Sequence, residues 1–189
     1  MSFTQRRRFL WVLFLVGIGL IALAASATTL VRLPFYKLVQ HSSAIARVRS
    51  ISAMTRLENG EIWTDTVFEV LQHDKGYLPS HIVVRTPGGK FQHLHSHIDG
   101  VPEFREGEEV FLFLTGQPGR PFYIVGWTQG TFRIRKDLRT GMEAVTQDSA
   151  DVPVFDPGAH KFATAGVKDL RIDLFLEKLN KEIHRQSLE

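Results

Sequence analysis

The fold turns on residues 44–73, which read AIARVRSISAMTRL (44–57), ENGE (58–61) and IWTDTVFEVLQH (62–73). Both flanks are rich in β-branched and aromatic residues, and Asn59-Gly60 between them is a strong hairpin signal, because both central residues of a type I′ turn need positive φ. The second flank alternates imperfectly. Ile62, Phe68 and Val70 share one parity, while Trp63, Val67 and Leu71 share the other. A long strand bent by a bulge is the expected cause.

Toward the C-terminus the strand signals continue. SHIVVRT (80–86) leads through Pro87-Gly88-Gly89 to KFQHLHSHI (90–98), and an irregular stretch follows from Asp99 to Gly107. VFLFL (110–114) is apolar at every position, which predicts a central strand covered on both faces. After the breaker GQPGRP (116–121) come FYIVGW (122–127) and TFRIR (131–135). Six or seven short strands without intervening helices predict a mainly β fold, a small antiparallel OB-like barrel over residues 44–135.

Residues 136–166 are turn-rich and aperiodic, with Asp156-Pro157-Gly158 at their centre, and read as a loop or linker. Residues 167–186 read as an amphipathic helix, because Ile172, Phe175, Leu176, Leu179 and Ile183 recur at spacings of three, four and seven. That apolar face either closes one end of the barrel or docks on a protein partner.

Toward the N-terminus, RLPFYKLVQHSS (32–43) reads as a short collar helix with Pro34 in its first turn. Its Phe35 and Tyr36 are placed either at a membrane interface, where amphipathic aromatics are favoured, or over the barrel. From Phe9 to Val31 no residue is charged, and Arg6, Arg7 and Arg8 precede this run. Residues 1–31 are thus a signal peptide or a membrane anchor. The run reaches the roughly 20 residues a spanning helix needs, while Ala25-Ser26-Ala27 offers the small-x-small site that a signal peptidase needs. Arg6-Arg7-Arg8-Phe9-Leu10 also resembles the twin-arginine export pattern. In an anchor, Arg6, Arg7, Arg8 and Trp11 lie at the inner end, since basic flanks stay cytoplasmic. The domain then faces the extracytoplasmic, periplasmic side of a bacterial inner membrane, and it is secreted if cleavage follows Ala27.

The pI near 9.3 does not mark a nucleic-acid binder. Residues 1–27 hold three arginines and no acid, and the remainder balances 20 basic against 20 acidic residues. The chain's positive excess therefore belongs to the export segment, not to a phosphate-binding face. Cysteine is absent, which excludes disulfides, a lipoprotein anchor and thiolate metal sites.

His93, His95 and His97 alternate in sequence. On an extended strand they project from one face about 6.5 to 7 Å apart, so neighbouring imidazoles could take Cu or Zn, with a solvated strand face as the plain alternative. Otherwise no cofactor is expected. The chain carries no G-x-S-x-G, H-E-x-x-H, Walker loop or G-x-G-x-x-G, so a non-catalytic role is expected over an enzyme on a barrel scaffold. Trp63, Trp127, Tyr123, Phe122 and Phe132 suit either a stacking surface or a core.

Several blocks between Leu38 and Arg135 carry a family resemblance. They are Ser42-Ser43-Ala44-Ile45-Ala46-Arg47-Val48, Glu69-Val70-Leu71 leading to Lys75-Gly76, Val83-Val84-Arg85-Thr86-Pro87-Gly88-Gly89, Phe104 to Leu114, and Val125 to Phe132. This order resembles a family of uncharacterised exported bacterial β-domain proteins. It is also similar to netrin-like modules, among them the tissue inhibitors of metalloproteinases, which are OB-type barrels closed by helices. Those inhibitors present an N-terminal cysteine to zinc, and this chain has none. The resemblance therefore implies a fold and an exported setting, and no activity. The expected function is an exported, membrane-anchored binding or assembly module, an accessory subunit with a protein partner in or on the membrane. The alternative is a periplasmic metal-binding protein using the histidine strand.

Overall fold

Two 15-residue strands, β1 (Ala44–Glu58) and β2 (Glu61–Lys75), fold back on each other at Asn59-Gly60, where φ is +52° and +84°. The computed structural model describes residues 30–188. Arg6, Arg7, Arg8, Trp11 and Ala25-Ser26-Ala27 lie outside the described residues, as does most of the signal or anchor segment. No helix among the described residues is long and apolar enough to cross a membrane.

The parity switch in the second flank has a local cause. The β1–β2 register skips Leu71 and Asp74 on β2 and Ile51 on β1, so the hairpin contains three bulges rather than one. Each skipped residue reverses which face its neighbours present and adds twist.

The other strands are β3 (His81–Pro87), β4 (Gly89–Phe91), β5 (Leu94–Ser96), β6 (Glu109–Thr115), β7 (Tyr123–Ile124), β8 (Thr131–Lys136), β9 (Glu143–Gln147), β10 (Pro153–Asp156), β11 (Lys161–Thr164) and β12 (Leu170–Arg171). The main sheet runs β12-β9-β8-β6-β1-β2-β3, with β7 paired to β6, and every strand pairing in it is antiparallel. β4–β5 and β10–β11 are separate two-stranded hairpins. The sheet is not closed into the barrel expected from sequence. Among the described residues, edge strand β3 pairs with the chain entering β7 only at the isolated parallel bridge Val84–Phe122.

Central strand β6 separates two cores. Val110, Leu112 and Leu114 face Ala46, Val48, Phe68, Ile82 and Val84. Phe111 and Phe113 face the opposite way, toward Ile45, Phe132, Val145 and two helices, α1 (Phe35–His41) and α2 (Ile172–Gln186). All five side chains are fully buried. At about 1.5–3 kcal/mol for each fully buried large apolar side chain, β6 is the main single source of hydrophobic stabilisation.

Residues 136–166 are not the loop their composition implies. They contain β9, which pairs with β8 in the main sheet, and the β10–β11 hairpin. Arg47 explains part of this order. Its guanidinium lies 2.6 Å from Glu109 on β6 and 3.0 Å from Glu143 on β9, so one cation ties the added strand to the centre. Residues 167–171 are likewise not helical: β12 occupies Leu170–Arg171, and α2 begins at Ile172.

The uncharged run also ends differently from a plain segment boundary. Val31 forms an isolated parallel bridge with Phe155, flanked by hydrogen bonds from the Phe155 N–H to the Leu30 carbonyl and from the Arg32 N–H to the Phe155 carbonyl, each 2.8 Å. Leu30 and Val31 thus belong to the domain.

Candidate functional site

Counting outward from Asn59-Gly60 pairs Thr55 with Thr64, and β3 adds Thr86 opposite Thr64. One row on, Ala53, Thr66 and Val84 are aligned. The distal half of the hairpin therefore presents a threonine-rich face. Its hydroxyls are partly engaged: Thr55 and Thr64 lie 3.1 Å apart, and the Thr64 hydroxyl donates to the Gly88 carbonyl at 2.8 Å.

β4 crosses this face closely. A Cβ on Gly89, whose φ is +125°, would collide with the Thr64 hydroxyl, so glycine is required both for the backbone angle and for the approach. Ser96 to Phe104 then complete a cleft of about 240 Å³ between the threonines and a wall containing His95, His97, Glu103 and Phe104. A larger apolar groove of about 600 Å³, which shares Pro87, His95, Ser96 and Ile98 with the cleft, is also lined by Leu57, Ile62, Trp63, Leu94 and Trp127.

The histidine strand is corrected by this geometry. Residues 90–98 are not one extended segment; β4 and β5 form a tight hairpin whose turn is Gln92-His93, with Gln92 at φ +54°. His93 therefore sits at the turn, His95 on β5 opposite Lys90, and His97 beyond the strand. All three are exposed, and among the described residues no group of three His, Asp or Glu is placed to hold a metal. His97 instead lies between two carboxylates, 3.3 Å from Asp99 and 3.9 Å from Glu103. The chemistry offered by the cleft is hydrogen bonding by hydroxyls and imidazoles, with the Glu103 carboxylate and the Lys90 ammonium at its wall.

The opposite face of the hairpin carries ions. Both oxygens of Asp65 accept from Arg85, at 2.7 and 2.9 Å, and Arg56 lies 2.9 Å from the same carboxylate. Arg85 also reaches Glu58 at 2.9 Å and lies 6.0 Å from the centre of the Trp63 ring. Hydrogen bonding from Arg85 holds the Asp65 carboxyl below its ordinary range against the opposing effect of burial, and Asp65 in turn raises Arg85.

The helix residues expected either to close one end of the barrel or to face a partner lie inside. Phe175 and Leu179 are fully buried, and Ile172, Leu176 and Ile183 pack on the same core. The apolar face of α2 is thus covered by its own sheet. Phe35 is likewise part of this core, edge-on to Phe113 at 5.8 Å and to Phe132 and Phe175 at 6.2 Å. It does not reach outward as an interfacial aromatic would. Tyr36 remains half-exposed between Lys37 and Arg185. Phe122 and Phe132 are buried, which leaves Tyr123, Trp63 and Trp127 at least partly exposed.

The threonine face escaped the sequence reading, although the hairpin count from Asn59-Gly60 pairs Thr55 with Thr64. Trp127 adopts φ +53° directly after Gly126 at +64°, a backbone no residue pattern announces. No family model, curated protein or solved structure matches this chain.

Proposed function

We propose that the chain is an exported, membrane-anchored, non-catalytic assembly module: an accessory subunit whose β1–β2 arm pairs with a strand of a protein partner in or on the same membrane. The observation that carries this is the outer edge of β1. Pairing with β6 ends at Arg49–Glu109, and among the described residues no ladder continues along that edge from Ile51 to Glu58. Ile51, Met54 and Leu57 are exposed along the same run. A long uncovered edge with apolar side chains is a template for another strand, and proteins that stay monomeric blunt such edges. Main-chain hydrogen bonds to an added strand supply affinity, and flanking side chains supply selectivity.

An OB-type scaffold of the netrin-like kind is part of the same proposal. It is supported by the neighbour order β6-β1-β2-β3 and by the parallel Val84–Phe122 bridge, which leads through β7 back to β6.

The double variant Ile51→Lys/Leu57→Lys places cations on the edge, a device that blocks strand addition. In detergent extracts separated under native conditions, the full chain should migrate in a larger complex and the double variant should migrate alone. Its thermal midpoint should stay within a few degrees of the parent, because both positions are solvent-exposed. A parent protein that migrates alone at every expression level removes the subunit reading.

A further inference from the structure

The last two residues of the uncharged run, Leu30 and Val31, are held by the domain. Besides the Val31–Phe155 bridge, the Gln129 side chain holds both sides of Arg32: its amide nitrogen donates to the Val31 carbonyl at 2.9 Å, and its oxygen accepts from the Leu33 N–H at 2.7 Å. Arg32 itself pairs with Asp156 at 2.6 Å.

Apolar side chains gather around this clamp, with Asp151 and Asp99 exposed at its margins. Leu30 packs over Gly100: its Cδ1 lies 2.6 Å from the point where a Cβ on Gly100 would stand, and the Trp127 ring lies 3.8 Å from the same point. On another side, the Phe155 ring lies 5.4 Å from that of Phe162, tilted against it, and Phe162 is 58% exposed at the β10–β11 hairpin. Val31 and Val152 are also exposed, at 49% and 40%. Lys161, exposed beside Phe162, supplies a cation, while Arg32 is partly exposed and paired with Asp156.

Resting on the anchored reading above, we propose that this surface (Trp127, Val31, Val152, Phe155 and Phe162) docks into the headgroup–acyl boundary of the bilayer and holds the domain against the membrane. Two arguments select lipid as the occupant. The uncharged run Phe9–Val31 ends on this surface, so a spanning segment of roughly 20 residues brings Leu30 to the outer interface, and its side-chain neighbours with it. Aromatic rings and apolar side chains mixed with Lys and Arg are also the residue set that partitions to this boundary.

The absence of cysteine makes a spin-label test direct. Single cysteines replace Val152, Phe162 or Leu138 in the full chain, which is reconstituted into phosphatidylethanolamine–phosphatidylglycerol vesicles and floated. Leu138 is the aqueous reference. It lies in the β8–β9 turn, and β8 starts just after Trp127–Gly130, so about 20 Å of strand separates it from the patch. Labels at 152 and 162 should be several-fold less accessible to a soluble nickel chelate than the label at 138, and more accessible to oxygen. If the protein floats but all three labels are equally open to nickel, the docking surface is refuted and anchoring stands. If the protein fails to float after a carbonate wash, anchoring and docking surface fall together.

Discussion

Phe175→Ala should cost about 3–5 kcal/mol of unfolding free energy, the usual range for truncating a fully buried aromatic ring. The ring has no exposed surface and lies 5.0 Å from Phe111, 5.2 Å from Phe132 and 6.2 Å from Phe35. Its loss opens a cavity in the core where α1, α2 and the sheet meet. The measurement is a urea midpoint with Leu174→Ala as control. Leu174 is 45% exposed on the same helix, so its truncation should cost no more than about 0.5 kcal/mol. Equal, small losses for both would mean that α2 is loosely held, and its apolar face would then be free for a partner after all.

Arg85→Leu should be the second severe change. It leaves Asp65, only 5% exposed, with Arg56 as its remaining close cation. Breaking a buried ion pair by removing one partner costs roughly 3–5 kcal/mol, and the remaining Arg56 places this case at the lower end. The pH dependence has a definite sign. The folded-state pKa of Asp65 is depressed, so its contribution is fully present above the unfolded value of about 3.9 and is lost as pH falls through the lower folded value. The stability gap between parent and Arg85→Leu should therefore be wide at neutral pH and shrink below about pH 4. Denaturant midpoints across that range measure it. A gap of constant size would show that Arg85 acts through packing rather than through the Asp65 charge.

How much of this architecture the sequence revealed depended on whether local pattern or tertiary contact decided each element. VFLFL is legible because five consecutive apolar residues between breakers have few other homes, and alternation within it assigns Val110, Leu112 and Leu114 to one side and the two phenylalanines to the other. Asn59-Gly60 is legible because its turn demands those residues. Residues 90–98 misled, since Gln92 takes positive φ without a glycine to mark the turn, and period-two spacing of histidines imitates a strand. Residues 136–166 misled for another reason: β9 is only five residues long, and its order depends on pairing with β8 and on the Glu143–Arg47 contact, neither visible in the local composition. For α2, apolar spacing defines a face but carries no information on what lies against it. The threonine cleft is a product of three strands and a hairpin that crosses them, so only its Thr55–Thr64 pair has a sequence signature.

Burial of β6 on both faces has a consequence before folding is complete. Val110 to Leu114 is an uncharged, strongly β-prone run with no proline, the composition that self-associates when left exposed. Any chain leaving the ribosome carries that run bare until both layers close over it. Glu106, Glu108 and Glu109 sit immediately upstream, where like charges on neighbouring copies repel and oppose stacking. In the folded domain two of these acids are reused, Glu108 on Arg133 at 2.6 Å and Glu109 on Arg47 and Arg49. The same short acidic segment thus has the placement of a charged gatekeeper for the exposed strand and, in the folded domain, fastens it in place.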